Sequence, residues 1–166
     1  MTETTTEYVE VALRNKFKSI LQEDTTLNNI CTSLSLDRVK IYKGRPPAVN
    51  SFPAVILEYE RDMPHMAHKT KNGWKEEFTL NVFVAYKQYN REDREDILLK
   101  LTRIVIKAIE ANRIMDCLRA SDNSWMVYDA YPEEVLYENW PGRTDNKEWV
   151  LNASLIKYKI VVEGKL

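Results

Sequence analysis

Apolar positions along the chain switch between two spacings, and each switch marks an element. Val9, Ala12, Leu13, Phe17, Ile20 and Leu21 recur at three-and-four spacing, so an amphipathic helix is expected after a polar start in which residues 1–7 are flexible. Thr25 or Thr26 is expected to cap a short second helical turn through Leu34, and Arg38 to Lys43 alternates as a short strand. Gly44, Pro46 and Pro47 end that strand. Pro53 opens the next, since a missing N–H is tolerated at a strand start but breaks a central ladder. There Val55, Leu57 and Tyr59 face one way. Ile56, Glu58, Glu60 and Asp62 face the other, so the far half of the strand is expected to project into solvent or toward a partner.

Between Arg61 and Trp74 the chain is polar, with Pro64 and Gly73, and reads as a long loop joining two antiparallel strands. Phe78, Leu80, Val82, Val84 and Tyr86 then alternate strictly, with Thr79, Asn81, Phe83 and Ala85 on the second face. Asn90 is placed as an N-cap, with Glu92 and Asp93 in the first turn, where the helix dipole favours negative charge. The helix that follows carries one apolar stripe of Ile97, Leu98, Leu101, Ile104, Val105, Ala108 and Ile109. Trp125 to Ala130 reads as another strand, followed by an aromatic-rich connection through Tyr131, Tyr137 and Trp140 and a turn at Pro141 and Gly142. From Trp149 to Val162 the last extended run changes phase, from Trp149, Leu151, Ala153 and Leu155 to Ile156, Tyr158, Ile160 and Val162. A β-bulge or change of partner near Ser154 to Lys157 would reconcile the two halves.

At 166 residues the chain has the size of one domain, and Lys+Arg 24 nearly cancel Asp+Glu 25, so no global attraction to nucleic acid or anionic lipid is expected. The longest apolar run is a few residues and the N-terminus has no basic segment before an apolar core. Neither a transmembrane helix nor a signal peptide is expected, and synthesis is assigned to the cytosol. Cys31 and Cys117 are far apart and outside any CxxC pair, which favours small buried side chains over a disulfide or zinc site.

Catalytic chemistry finds little to work with. Gly44, Gly73, Gly142 and Gly164 are isolated, so neither GxGxxG nor a P-loop can be written. His65 and His68 are the only histidines, and no serine stands in GxSxG, which leaves few bases for acyl transfer. The two form an HxxH pair, but Pro64 and the lack of a nearby third ligand favour solvated loop residues over a metal site. Glu58, Glu60 and Asp62 could in principle hold Mg²⁺, but an exposed or subunit-facing acidic edge is the preferred reading. Lys69, Lys71 and Lys75 surround Trp74, a combination that single-stranded nucleic acid can use, yet Glu76 and Glu77 follow at once. A protein-contact loop is preferred there. The aromatic cluster Trp125, Tyr128, Tyr131, Tyr137, Trp140 and Trp149 is assigned mainly to core packing, with interface anchoring as the alternative.

The order of amphipathic helix, short strand, FPAVILEYE, polar loop, WKEEFTLNVFVAYKQY, the REDREDILLKLTRIVIKAI helix and a late strand ending NASLIKYKIVVEG resembles the tail terminator (tail completion) proteins of long-tailed bacteriophages and related viruses. It covers most of the chain, and its specificity comes from order and spacing. The resemblance implies an α+β fold, a mainly antiparallel β-sheet with two amphipathic helices packed against it, as one domain across residues 1–166. It further implies a homo-oligomeric ring, commonly a hexamer, in the tail or neck of a virion. Such a ring caps the tail tube, ends its polymerisation and meets the head connector or neck proteins, while DNA passes through the lumen without specific binding. Neither catalysis nor cofactor nor membrane is implied. Contact with subunits or tube is assigned to Glu58, Glu60, Asp62, Trp74 and Lys75, and to Leu99, Thr102 and Ile106, which lie off the main helical stripe. Other readings are a neck or head-closure protein, a cytosolic nucleic-acid-binding module, and a carboxylate-metal enzyme.

Overall fold

The computed structural model describes residues 9–60, 68–70, 73–88, 93–111, 125–144 and 147–165. Three helices accompany a six-stranded, mostly antiparallel sheet, two of them packed directly on it, giving an α+β architecture. The elements are α1 (Val9–Glu23), α2 (Thr25–Ser33), β1 (Lys40–Lys43), β2 (Ala54–Tyr59), β3 (His68–Thr70), β4 (Gly73–Gln88), α3 (Arg94–Ala111), β5 (Trp125–Thr144) and β6 (Lys147–Lys165). The sheet order is β1-β2-β4-β6-β5, with β1 parallel to β2 and the remaining pairs antiparallel. None of the described helices is long and apolar enough to cross a membrane.

The central pair, β4 and β6, runs without a register break from Gly73↔Lys165 to Gln88↔Val150. Phe78, Leu80, Val82, Val84 and Tyr86 of β4 face the helices and are buried, as strict alternation requires. Ile156, Tyr158, Ile160 and Val162 of β6 join them, and Phe17 of α1 meets the Tyr158 ring edge-on at 5.3 Å. On α3, Ile97, Leu98, Leu101, Val105, Ala108 and Ile109 are buried, with Ile104 packed at the margin, in agreement with the periodic stripe.

Several expectations are corrected. The N-cap of α2 is Asp24, whose carboxylate accepts the Leu27 N–H at 2.7 Å, rather than Thr25 or Thr26. An aspartate one position earlier satisfies the orphan amide and leaves both threonines inside a full nine-residue helix that packs beside α3, while α1 and α3 are the two helices packed on the sheet, as expected. No bulge interrupts β6. Asn152 and Ser154 are buried polar residues that continue the helix-facing row, while Ala153 and Leu155 point to the opposite face, so the apparent phase change reflects apolar residues on both faces. The register shifts lie instead on β5, between Val127 and Asp129 and between Pro132 and Glu134. That strand does not stop at Ala130. It continues through Pro132 and Pro141 to Thr144, which an edge strand permits because no second neighbour requires every N–H.

The long loop is likewise partly strand. β3 pairs with β4 from His68↔Lys75 to Thr70↔Gly73, along the edge of β4 that β2 occupies further on. As far as Glu60, the carboxylate end of β2 does not project, since Tyr59 pairs with Leu80 and the Glu60 N–H donates to the Thr79 carbonyl at 3.3 Å. Asn90, Asp62, His65, Lys71 and Cys117 lie outside the described residues. Cys31 is a buried free thiol, raised above its ordinary pKa by burial, with a hydrogen bond from the Val39 backbone opposing.

Candidate functional site

Among the described residues, no helix covers the second face of the sheet, and that face divides into an apolar row and a charged field. Register places Tyr42, Ile56, Phe83, Leu155 and Leu136 side by side across β1, β2, β4, β6 and β5. The connection from β1 to β2 folds over one end of this row. It starts at Gly44, whose φ of 82° suits glycine and whose N–H donates to the Leu57 carbonyl at 2.7 Å. Arg45, Pro46, Val49 and Phe52 then enclose a groove of about 300 Å³ against Ile56, Phe83 and Ala153. The Arg45 guanidinium lies 5.7 Å from the Phe83 ring centre and 3.2 Å from Glu58, so one cation serves both a ring face and a carboxylate.

The charged field follows on the next rows. Lys157 meets Glu134 at 3.3 Å and Glu60 at 3.8 Å, and Lys159 meets Glu77 at 3.1 Å. Hydrogen bonding to Glu77, more than any other cause, holds the Lys159 ammonium above its ordinary pKa. Surface pairs of this kind contribute little to stability, because solvent screens them. Their effect is mutual neutralisation: Glu58 and Glu60, the residues weighed for a metal, each face a cation, and among the described residues no group of three His, Cys, Asp or Glu side chains comes together.

The candidate contact residues are thus dispersed. Glu58 and Glu60 stand in the charged field. Trp74 and Lys75 belong to the start of β4, paired across to Gly164 and Glu163 on β6. On α3, Leu99 is 42% exposed and Ile106 is half-buried against the core. Thr102, however, is 1% exposed. Its hydroxyl donates to the Leu98 carbonyl at 2.8 Å and lies 2.7 Å from Ser154 Oγ, so a polar side chain in an apolar helix is explained here by a buried partner on β6 and not by an outside surface.

Sequence reasoning missed the edge formed by β5. Met126, Tyr131, Leu136 and Tyr137 are all substantially exposed, with Tyr137 at 52%. Tyr131 and Leu136 share the open face with Lys159 and Leu155, whereas Tyr137 lies beside Ser154 on the helix-facing side. Trp125, by contrast, is buried, so the aromatic cluster divides between core and surface. The signal was present in the two prolines, which together with alternating side chains mark an edge strand.

No family model matches the chain, and no curated protein matches it. Its fold is similar to that of a chain from a solved structure described as "Virion of native gene transfer agent (GTA) particle", with a TM-score of 0.56 and 14% identity over 96% of this chain and 100% of that chain.

Proposed function

We propose that this chain is a non-enzymatic structural protein of a virion, acting as a ring subunit that closes the end of a tail tube and joins it to the head connector. The observation that carries the proposal is the likeness in fold, over nearly the whole length of both chains, to a component of a gene transfer agent virion. The element order behind the tail-terminator resemblance accompanies it: helix, short strand, β2, β4, α3 and a final long hairpin. The near-neutral charge suits a conduit, because each phosphate contact by Lys or Arg would strengthen DNA binding and slow its passage.

In this reading the open sheet face, the strand ends at Trp74 and Lys75, and the α3 flank of Leu99 and Ile106 are surfaces for subunits, tube or connector. Thr102 serves the core. Deletion of the gene in the producing virus, followed by electron microscopy, tests the assignment. Overlong or unjoined tails are expected. Normal tails with heads that leak DNA would replace the terminator role by head closure, and unaltered particles that never contain the protein would overturn a virion role altogether.

A further inference from the structure

The two edges of the sheet carry opposite charge. At one edge, the stretch from Arg38 to Arg45 holds four basic residues, Arg38, Lys40, Lys43 and Arg45, and no acidic one. Lys40 and Lys43 are exposed on β1, which among the described residues pairs only with β2. At the other edge, Trp125 to Glu138 holds four acidic residues, Asp129, Glu133, Glu134 and Glu138, and no basic one. These belong to β5, which among the described residues pairs only with β6. Arg45 is partly neutralised by Glu58, and Glu134 by Lys157. Glu133 also lies within electrostatic reach of Lys159, so the acidic charge left over is that of Asp129, Glu138 and part of Glu133, against Arg38, Lys40 and Lys43 at the other edge.

The lengths and the apolar positions also correspond. β1 offers four residues, roughly 13 Å of strand. On β5, the register is unbroken from Glu134 onward, and Leu136 and Tyr137 stand exposed between Glu134 and Glu138, on opposite faces of the strand. Tyr42, half-buried on β1, occupies the equivalent central position at the basic edge.

We propose, building on the ring reading above, that the occupant of each edge is a second copy of this chain, with the acidic β5 edge of one copy set against the basic β1 edge of the next. Such a contact is heterologous: it uses two different surfaces, so its repetition generates a ring when the rotation closes. Opposite charge draws the unlike edges together and keeps like edges apart, which selects head-to-tail order over a symmetric pair.

The test uses two charge-reversed full-length chains, Lys40→Glu/Lys43→Glu and Glu133→Lys/Glu138→Lys, with folding of each checked by circular dichroism. Association is read by sedimentation across concentration, at low and high salt. The wild-type chain is expected to self-associate, less so at high salt. Each variant alone is expected to associate roughly 100-fold or more weakly, because like charges then face each other. An equimolar mixture is expected to recover assembly, since every contact in an alternating array again joins an acidic to a basic edge. A wild-type chain that stays monomeric, a variant that associates like wild type, or a folded mixture that fails to recover would each overturn the edge contact. None of these results bears on whether the protein is found in particles, so the virion role is judged separately by gene deletion.

Discussion

Replacing Thr102 by valine keeps the side chain's shape and removes the hydroxyl that ties α3 to β6. The Thr102 proton is directed to the Leu98 carbonyl at 2.8 Å, which makes Ser154 the donor of the 2.7 Å bond to Thr102 Oγ1. Valine therefore leaves the Ser154 hydroxyl without its acceptor at a position that is 0% exposed. The Leu98 carbonyl keeps its place in the helical ladder and is not orphaned. A buried hydroxyl left unpaired costs about 1–3 kcal/mol, so Thr102→Val is expected to lose roughly 2 kcal/mol. Ser154→Ala removes the donor while Thr102 still reaches Leu98, and is expected to lose about 1 kcal/mol. The double variant removes both polar groups, is expected to be no less stable than Thr102→Val, and gives a coupling of about 1–2 kcal/mol. Urea unfolding followed by circular dichroism, at low concentration and high salt to suppress association, measures all three. A Thr102→Val variant within about 0.3 kcal/mol of wild type, or strict additivity, would refute the buried pair and return Thr102 to the outer helix face that spacing suggested.

Other elements give further tests. Phe17 is fully buried edge-on to Tyr158, so Phe17→Ala is expected to cost about 3–5 kcal/mol in the same assay, and a loss below 1 kcal/mol would place α1 off the sheet. Asp24→Ala is expected to cost about 1 kcal/mol through loss of the α2 cap, whereas Asp24→Asn keeps an acceptor and should recover most of it. Burial pushes the phenols of Tyr158 and Tyr59 above their usual value, with the carboxylates of Glu110 and Glu10 adding to the effect and Arg14 opposing it at Tyr59. The unfolded chain releases these protons near pH 10 while the folded chain retains them, so their contribution is constant below about pH 10 and is lost as pH rises beyond it. Thermal midpoints should fall steeply above that pH, and Tyr158→Phe should lessen the fall; identical alkaline slopes would count against the buried phenol.

How much of this was legible depends on how many neighbours an element has. β4 is central and α3 lies on the sheet, so for both a single buried face dictates the pattern, and Phe78 to Tyr86 and Ile97 to Ile109 could be read directly. β6 misled because both its faces meet apolar neighbours: Ile156, Tyr158, Ile160 and Val162 face the helix side, while Ala153 lines the groove beneath the β1–β2 connection. A period-two signal fades once the second face is also covered. Thr102 failed for a different reason. Polarity on a helix ordinarily marks solvent, and only the strand fifty-two residues later supplies the hydroxyl that permits its burial. The β5 edge was lost because the stretch after Ala130 reads as an aromatic-rich connection ending in a turn at Pro141 and Gly142, when a strand with one neighbour can accommodate both Pro132 and Pro141.

That edge also shows why contact with a partner is a more economical explanation of β5 than accidental exposure. A long unpaired strand is prone to indiscriminate pairing, and proteins blunt it with prolines, bulges and charges. β5 carries all three: Pro132 and Pro141, register shifts beside Asp129 and Glu134, and carboxylates from Asp129 to Glu138. Yet Leu136 and Tyr137 remain exposed in the unbroken stretch just beyond the second shift. Protection that spares an apolar pair between Glu134 and Glu138 discriminates among partners rather than excluding them all. A strand that brings negative charge is repelled, and one that brings positive charge but no apolar surface leaves Leu136 and Tyr137 wet. Selectivity of this kind requires both the attractive and the repulsive element. Among the described strands of this chain, β1 presents Lys40 and Lys43 on either side of half-buried Tyr42 at the opposite edge of the same sheet, and meets both conditions.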